Sequence, residues 1–449
     1  MKRFQLKKCI FVLLYAVCIC TAFAENSDEP QKIVFTFEDA VKTALEQNPE
    51  LKRAEIDFAS AARNKLNSWN NFLPSFSLSA GGSAKHDFEN GSFGNFSWSG
   101  SAGLSLGLNA NIPAKMALTN TAYEISLASY KKQQAELIAS VASSFYSLIN
   151  SQKNLEILED SRNLAKQLYE QSMENYRSGL ASELALLQSE YAYRSTAPQI
   201  TSAQSAYKSS LEKFKQILGL SSETEVELEG SIELKELSLP SHEKLVEEYT
   251  QNRYDVVLKK LALEQAKLQK ASATAQAYAP SVNLSENLSL SEKKVVPGVG
   301  ESGGFTGTFN ISVSIPLNSY IPGSSGSLSL KDYADSVTKA ELQLEETVRT
   351  AKQAVTSAAE ETGRLWETLS VSRLNKKIAE RTYELSIEGY RAGLVSQTDL
   401  ESNRQKMVSA QQSVLQAEAA YLTGVYTLAN ALNLSVDELY EKFGKEDIR

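Results

Sequence analysis

Cysteine is almost missing from this chain. Three occur in 449 residues, at Cys9, Cys18 and Cys20, all inside the first twenty positions. The chain beyond Cys20 can form no disulfide and no thiolate metal site. Histidine is nearly as scarce. His86 and His242 stand in unrelated contexts, and neither has marked partners for a metal site or a Ser-His triad. No catalytic, metal or cofactor site is therefore expected. Positive charge is in deficit, with 46 basic residues against 54 acidic ones. That sign disfavours nucleic-acid binding. Long apolar runs are also lacking. After residue 24 no stretch approaches the ~20 continuous apolar residues of a membrane helix.

The first 24 residues have a separate job. "MKRFQLKK" is a basic start, "CIFVLLYAVCIC" a short apolar run, and "TAFA" ends in A-x-A at Ala22 and Ala24. This pattern reads as an export signal cut after Ala24. A lipid-modified Cys18 or Cys20 is the alternative, but neither follows a convincing small-residue pattern. Losing the signal's four basic residues leaves 42 against 54, a formal charge of −12.

Proline and glycine are absent from Ala114 to Tyr176. The composition there favours helix, with apolar spacing such as Ile138, Val141, Phe145 and Leu148. Roughly sixty residues at 1.5 Å each give a rod of about 90–100 Å. A second such stretch runs from Ser327 to Tyr390, with Gly363 and Gly389 as its weak points. Return helices are expected from Glu183 to about Leu218 and from Gln397 to about Leu432. Pro198 should kink the first of these or sit beside a wedge.

The chain says most things twice. "QNPELKRAEIDF" at Gln47 matches "QNRYDVVLKKLA" at Gln251, and both helical patterns end in an apolar-Pro pair, at Pro74 and Pro280. "LNANIP" at Leu108 matches "LNSYIP" at Leu317, and "YRSGLAS" at Tyr176 matches "YRAGLVS" at Tyr390. The copies lie 204, 206, 209 and 214 residues apart. Two equivalent halves with small insertions in the second explain this drift. The expected division is 1–24 signal, 25–220 first repeat, 221–240 equatorial linker, 241–434 second repeat and 435–449 tail. The tail should be helical or frayed.

Each YR-x-GL-x-S copy reads as a hairpin tip. Gly179 and Gly393 supply a permissive helix end, and Ser182 and Ser396 cap the next helix. Leu180 and Leu394 look exposed at matching tips, with Arg177 and Arg391 beside them, which suggests a docking surface.

Four stretches alternate apolar and polar residues with period two. They run near Phe76–Ala80, Phe96–Leu108, Val282–Leu290 and Phe305–Ile315. The polar positions are small and mostly Ser, Thr or Asn. Each stretch is close to the ~9–11 residues that cross a bilayer as a tilted strand. Glu286 breaks the third apolar face, which either weakens that strand or places the residue near an interface. Four strands make a poor soluble core and cannot close a membrane barrel alone. If they span a membrane, several chains must share one barrel. "GVGESGG" offers G-x-G-x-x-G at Gly298, Gly300 and Gly303. It sits between strands, so the dinucleotide reading fails its context test. An exported coiled-coil scaffold or adhesin without a pore is the rival reading.

The opening "FTFEDAVKTALEQNPELKRA" (Phe35–Ala54), the apolar-Pro pairs and the duplicated tips together resemble the TolC-like outer-membrane efflux proteins. The resemblance covers about Phe35 to Leu434. It implies a mainly α fold with a small β part. Long antiparallel hairpins of a homotrimer would form an α-barrel, above which four transmembrane strands per chain would make a shared twelve-stranded barrel in outer-membrane lipid. The protein would be a passive exit duct. Its tips would meet a periplasmic adaptor (membrane fusion) protein linked to an inner-membrane pump. By position, Asp399 matches an acidic pore-constriction residue and Ser402 takes the place of the next. A basic residue of the family falls on Val395 and its acidic counterpart on Ala185, so one closing link is not carried over. Glu183 and Glu401 stand nearby without an assigned role.

Overall fold

The computed structural model describes residues 33–84, 86–87, 89, 92–93, 96–230, 234–296 and 300–445. The export signal with its cysteines, Gly298 of the glycine-rich loop and the last four residues of the tail lie outside these. In chain order the elements are β1 (Ile33–Phe35), α1 (Phe37–Gln47), α2 (Pro49–Leu66), β2 (Ser75–Ser83), β3 (His86–Asp87), β4 (Ser92–Phe93), β5 (Ser97–Asn109), α3 (Ile112–Arg177), α4 (Glu183–Leu218), β6 (Val226–Leu228), α5 (His242–Tyr249), α6 (Tyr254–Tyr278), β7 (Ser281–Val296), β8 (Gly300–Ser314), α7 (Ser325–Arg391), α8 (Gln397–Leu432) and α9 (Val436–Phe443).

The two rods have 66 and 67 residues, so each is about 100 Å long at 1.5 Å per residue. Nothing in either stretch interrupts the backbone ladder, and their starts are marked. Pro113 sits in the first turn of α3, where its missing N–H costs no bond. Ser324 caps α7 by accepting from the Ser327 amide. The return helices have 36 residues each, roughly half a rod. The rods therefore have two tiers. Toward the tips, α4 packs on α3 and α8 on α7. Toward the sheet, α2 and α6 take over along α3, and α6 along α7. Helix α4 runs through Pro198 without a break. The ring removes the bond to the Arg194 carbonyl, and helical turns continue on both sides of it.

The core sits midway, in two equivalent clusters. One joins α1, α3 and α4 around Phe145, Leu148, Phe214 and Leu218, with β1 and β6 paired in parallel over it. The other joins α5, α7, α8 and α9 around Leu369, Tyr421, Leu428 and Leu439. Each fully buried Leu or Phe here contributes roughly 1.5–3 kcal/mol. Phe37, Tyr146 and Tyr426 bridge the two clusters. The linker is tied in as well. The Tyr421 hydroxyl donates to the Lys235 carbonyl at 2.7 Å, and Leu237 bridges Gly444 across antiparallel backbones. The start of the tail is folded, with Ser435 and Glu438 forming a reciprocal cap for α9. Burial pushes the Tyr440 phenol up to about 12, so it stays neutral inside this belt.

Strands β2, β5, β7 and β8 form one antiparallel sheet in the order β2-β5-β7-β8, leaving β2 and β8 as open edges. The register fixes two faces. On one, Phe76, Leu104, Glu286 and Phe309 share a row; on the other, Ser79, Ser101, Ser289 and Thr306 do. The apolar face is exposed in the single chain, with Leu78 at 78% and Phe305 at 71%. Glu286 does not interrupt the strand. It is the sixth of sixteen residues in a continuous β7, where Gly307 leaves a notch: a Cβ at Gly307 would stand 3.2 Å from the Glu286 Oε1. If this face meets lipid, replacing Glu286 by leucine should stabilise the sheet. A gain of about 1–2 kcal/mol is expected, below the ~2–4 kcal/mol of a basic residue at the bilayer midplane. The readout is the temperature at which the assembled protein dissociates on detergent gels. A lower temperature for Glu286→Leu would argue against lipid on this face.

Candidate functional site

Two ends of the molecule carry features the core does not require. One is the four-stranded sheet. The other is the pair of tips.

Both tips end their rods in the same way. Gly179 and Gly393 take φ of +71° and +73°, the left-handed region where a side chain is strained. The Leu180 amide reaches back to the Asn175 carbonyl at 2.7 Å and the Gly179 amide to Tyr176 at 3.0 Å. Leu394 to Gly389 at 2.8 Å and Gly393 to Tyr390 at 3.1 Å repeat the pattern. This is a Schellman ending. Its usual apolar contact is not made, because Leu180 is 80% exposed and Leu394 84%. Ser182 and Ser396 cap the next helices, accepting from Ala185 and Asp399 amides at 3.2 and 3.1 Å. Arg177 pairs with Glu174 at 3.0 Å in the open. Arg391 is exposed too.

Asp399 is brought into this capping network. Its carboxylate accepts from the Ser396 hydroxyl at 2.7 Å. Ser402 follows Asp399 by one turn of α8 and is exposed as well. It lines a groove of about 440 Å³ between the hairpins, with Gln188, Tyr191, Gln397 and Glu401. The two residues are three positions apart on one helix and are therefore neighbours on its surface.

What sequence reasoning missed is the seam between the hairpins. Helix α8 meets the first hairpin through a series of hydrogen bonds as well as apolar contacts. Gln397 donates to the Ser172 hydroxyl at 2.6 Å and to the Ala185 carbonyl at 3.3 Å. Gln412 donates to Asn154 at 2.9 Å, and Asn150 to the Leu415 carbonyl at 3.2 Å. Arg404 is the centre of the seam, 4% exposed. It grips Glu401 with two nitrogens, at 2.8 Å from Nε and 2.5 Å from Nη2. Its third nitrogen donates to the Ser161 carbonyl at 3.2 Å and to the Ser161 hydroxyl. One signal was available: Leu400, Arg404 and Val408 share a buried stripe at i, i+4, i+8, and a charge in such a stripe needs a partner. Val395 packs on Gly389, so no ion pair forms where the resemblance would place one.

Among the described residues, no helix is long and apolar enough to cross a membrane, and no group of His, Cys, Asp and Glu could hold a metal. His242 opens α5, while His86 lies in the short ladder of β3 and β4.

This fold is that of outer-membrane channels. The chain superimposes on the Campylobacter jejuni CmeC outer membrane channel with a TM-score of 0.74 at 18% identity, covering 90% of this chain and 88% of that one. Vibrio cholerae VceC gives 0.70 at 16% identity, covering 89% and 96%. The open-state MtrE channel of Neisseria gonorrhoeae gives 0.67 at 18%, covering 89% of each. No curated sequence matches. The outer membrane efflux protein family model matches residues 40–220 and 245–434, and the chain belongs to that TolC-like family. It is thus an outer-membrane transport channel rather than an enzyme.

Proposed function

We propose that three copies of this chain form the exit duct of a tripartite efflux or secretion system. The observation that carries this is the sheet: one apolar face, one hydroxyl face and two unpaired edges. An open edge is not tolerated in lipid. Pairing β8 of one copy with β2 of the next closes twelve strands and removes every edge. The rods of the same three copies then enclose a tube of twelve helices reaching into the periplasm. Belt residues 221–240 and the tail from residue 435 strap the tube midway, between repeats 25–220 and 241–434.

Transport is passive and powered elsewhere. The tips, through Arg177, Gly179, Leu180 and Ser182 and through Arg391, Gly393, Leu394 and Ser396, dock a periplasmic adaptor bound to an inner-membrane pump. The duct narrows near the tips, where three copies of Asp399 surround the axis and Ser402 lies one turn further in. A ring of carboxylates attracts cations. The purified mature protein should run as a trimer on detergent gels and give discrete, cation-favouring channels in a planar bilayer. Asp399→Ala should reduce that preference. Failure to insert would sink the duct and promote a coiled-coil scaffold. Channels unaffected by Asp399→Ala would move the constriction elsewhere.

A further inference from the structure

We infer that the duct, from the helical end of its strands as far as Ser291 and Gly304, is lined by a charge-neutral, hydroxyl-coated wall that passes polar solutes without regard to the sign of their charge. The inference rests on the duct reading and adds a specificity to it. On the polar face stand the odd positions of β2, of β5 and of β7 as far as Ser291, and the even positions of β8 from Gly304. The whole chain is 22% charged, yet all 24 of these positions are Ser, Thr, Asn or Gly. The one charge within these spans, Glu286, is on the opposite face. The neutral stretch ends at the bulge after Ser291, beyond which Lys294 pairs with Ser302.

The hydroxyls are also paired with one another. Ser75 meets Ser105 at 2.6 Å, Ser79 meets Ser101 at 2.7 Å, Ser281 meets Ser314 at 2.8 Å and Ser289 meets Thr306 at 2.6 Å. Each pair leaves one O–H and spare lone pairs for water, and offers a passing solute no charge to bind. The strands' aromatic rings, including Phe76, Trp98 and Phe309, belong to the other face, so no platform exists for stacking sugars or bases. Charges on the helices are remote. Thr308 lies six residues from the helical end of β8, roughly 20 Å along the strand, beyond the ~8 Å Debye length of physiological salt. Selection by charge therefore belongs outside this stretch. The stretch itself filters by size and polarity.

The cysteine-free mature chain gives a clean test. Single cysteines replace Ser285 or Thr308 on the polar face, and Leu284 or Phe309 on the apolar face, in full-length trimers inserted in a bilayer. Two small membrane-impermeant thiosulfonates are applied, one anionic and one cationic. Each rate is divided by that reagent's rate with a free thiol in solution. We expect Ser285→Cys and Thr308→Cys to react with both, and Leu284→Cys and Phe309→Cys with neither. A local potential of one kT splits the two normalised rates roughly sevenfold. A smaller split supports the neutral wall. A larger one, of either sign, overturns it and leaves the duct standing. Polar-face cysteines that stay unmodified while apolar-face cysteines react would overturn the duct reading itself.

Discussion

Replacing Arg404 with alanine should loosen the two hairpins from each other and raise the conductance of the reconstituted channel severalfold. Arg404 is the one buried guanidinium in the described seam. It joins Glu401 on its own helix to Ser161 on α3, 243 residues earlier in the chain. Removing one partner of a buried ion pair costs about 3–5 kcal/mol, chiefly because the other charge is left unpaired. Here the lower end applies, because the Glu401 side chain is 21% exposed and borders the groove. Arg404→Lys should fall between wild type and alanine. An ammonium keeps the charge but cannot fork to a carboxylate and a second helix at once. The decisive variant changes both members, Arg404→Leu with Glu401→Leu. It removes the buried charge, so thermal stability should return toward wild type, while the tie to Ser161 stays cut and conductance stays high. Restored stability with wild-type conductance would show that Arg404 serves folding and that the seam does not hold the pore narrow.

The rods were legible because helix formation over sixty residues is a local property. A long stretch without interior Pro and with Gly absent or scattered, bounded by Pro113 or Ser324 and by a left-handed glycine, has few alternatives, and the ends of α3, α4, α7 and α8 fall within two residues of the sequence reading. The sheet faces were legible for the same reason, since period-two alternation is carried by neighbours. The seam was not. Arg404 and Ser161 are joined by packing alone, and no spacing in a linear chain points from one to the other. Gln397 is similar: its partners Ser172 and Ala185 belong to the other hairpin. Asp399 shows a different limit. An acid in the first turn of a helix suits a cap and a pore ring equally well, and the single chain displays the cap. Pro198 suggests a kink because the lost bond is visible in the sequence, and the helix expected from Glu183 to Leu218 runs through it without a break.

Exporting cells should lose at least tenfold in cargo output when Leu394 becomes glutamate or Gly393 becomes proline, with trimers still assembled. The two changes act by different routes. Gly393 holds φ at +73° and its amide donates to the Tyr390 carbonyl. Proline fixes φ near −65° and has no amide to give, so the tip must rebuild. Gly393→Ala is a control, because a Cβ there meets nothing within 4 Å. It adds only the left-handed strain of about 1–2 kcal/mol and should leave most export intact. Leu394→Glu keeps the backbone and changes the surface. At 84% exposure the leucine supports no core, so fold and assembly should not respond. Placing an unpaired carboxylate in an apolar contact costs upward of about 2 kcal/mol, or some 30-fold in affinity. The same variant should conduct normally in a planar bilayer, where no adaptor is present. Normal export by Leu394→Glu would remove the tips from the docking surface. Loss of its trimer band would mean that the leucine is buried between copies of this chain and belongs to the assembly interface.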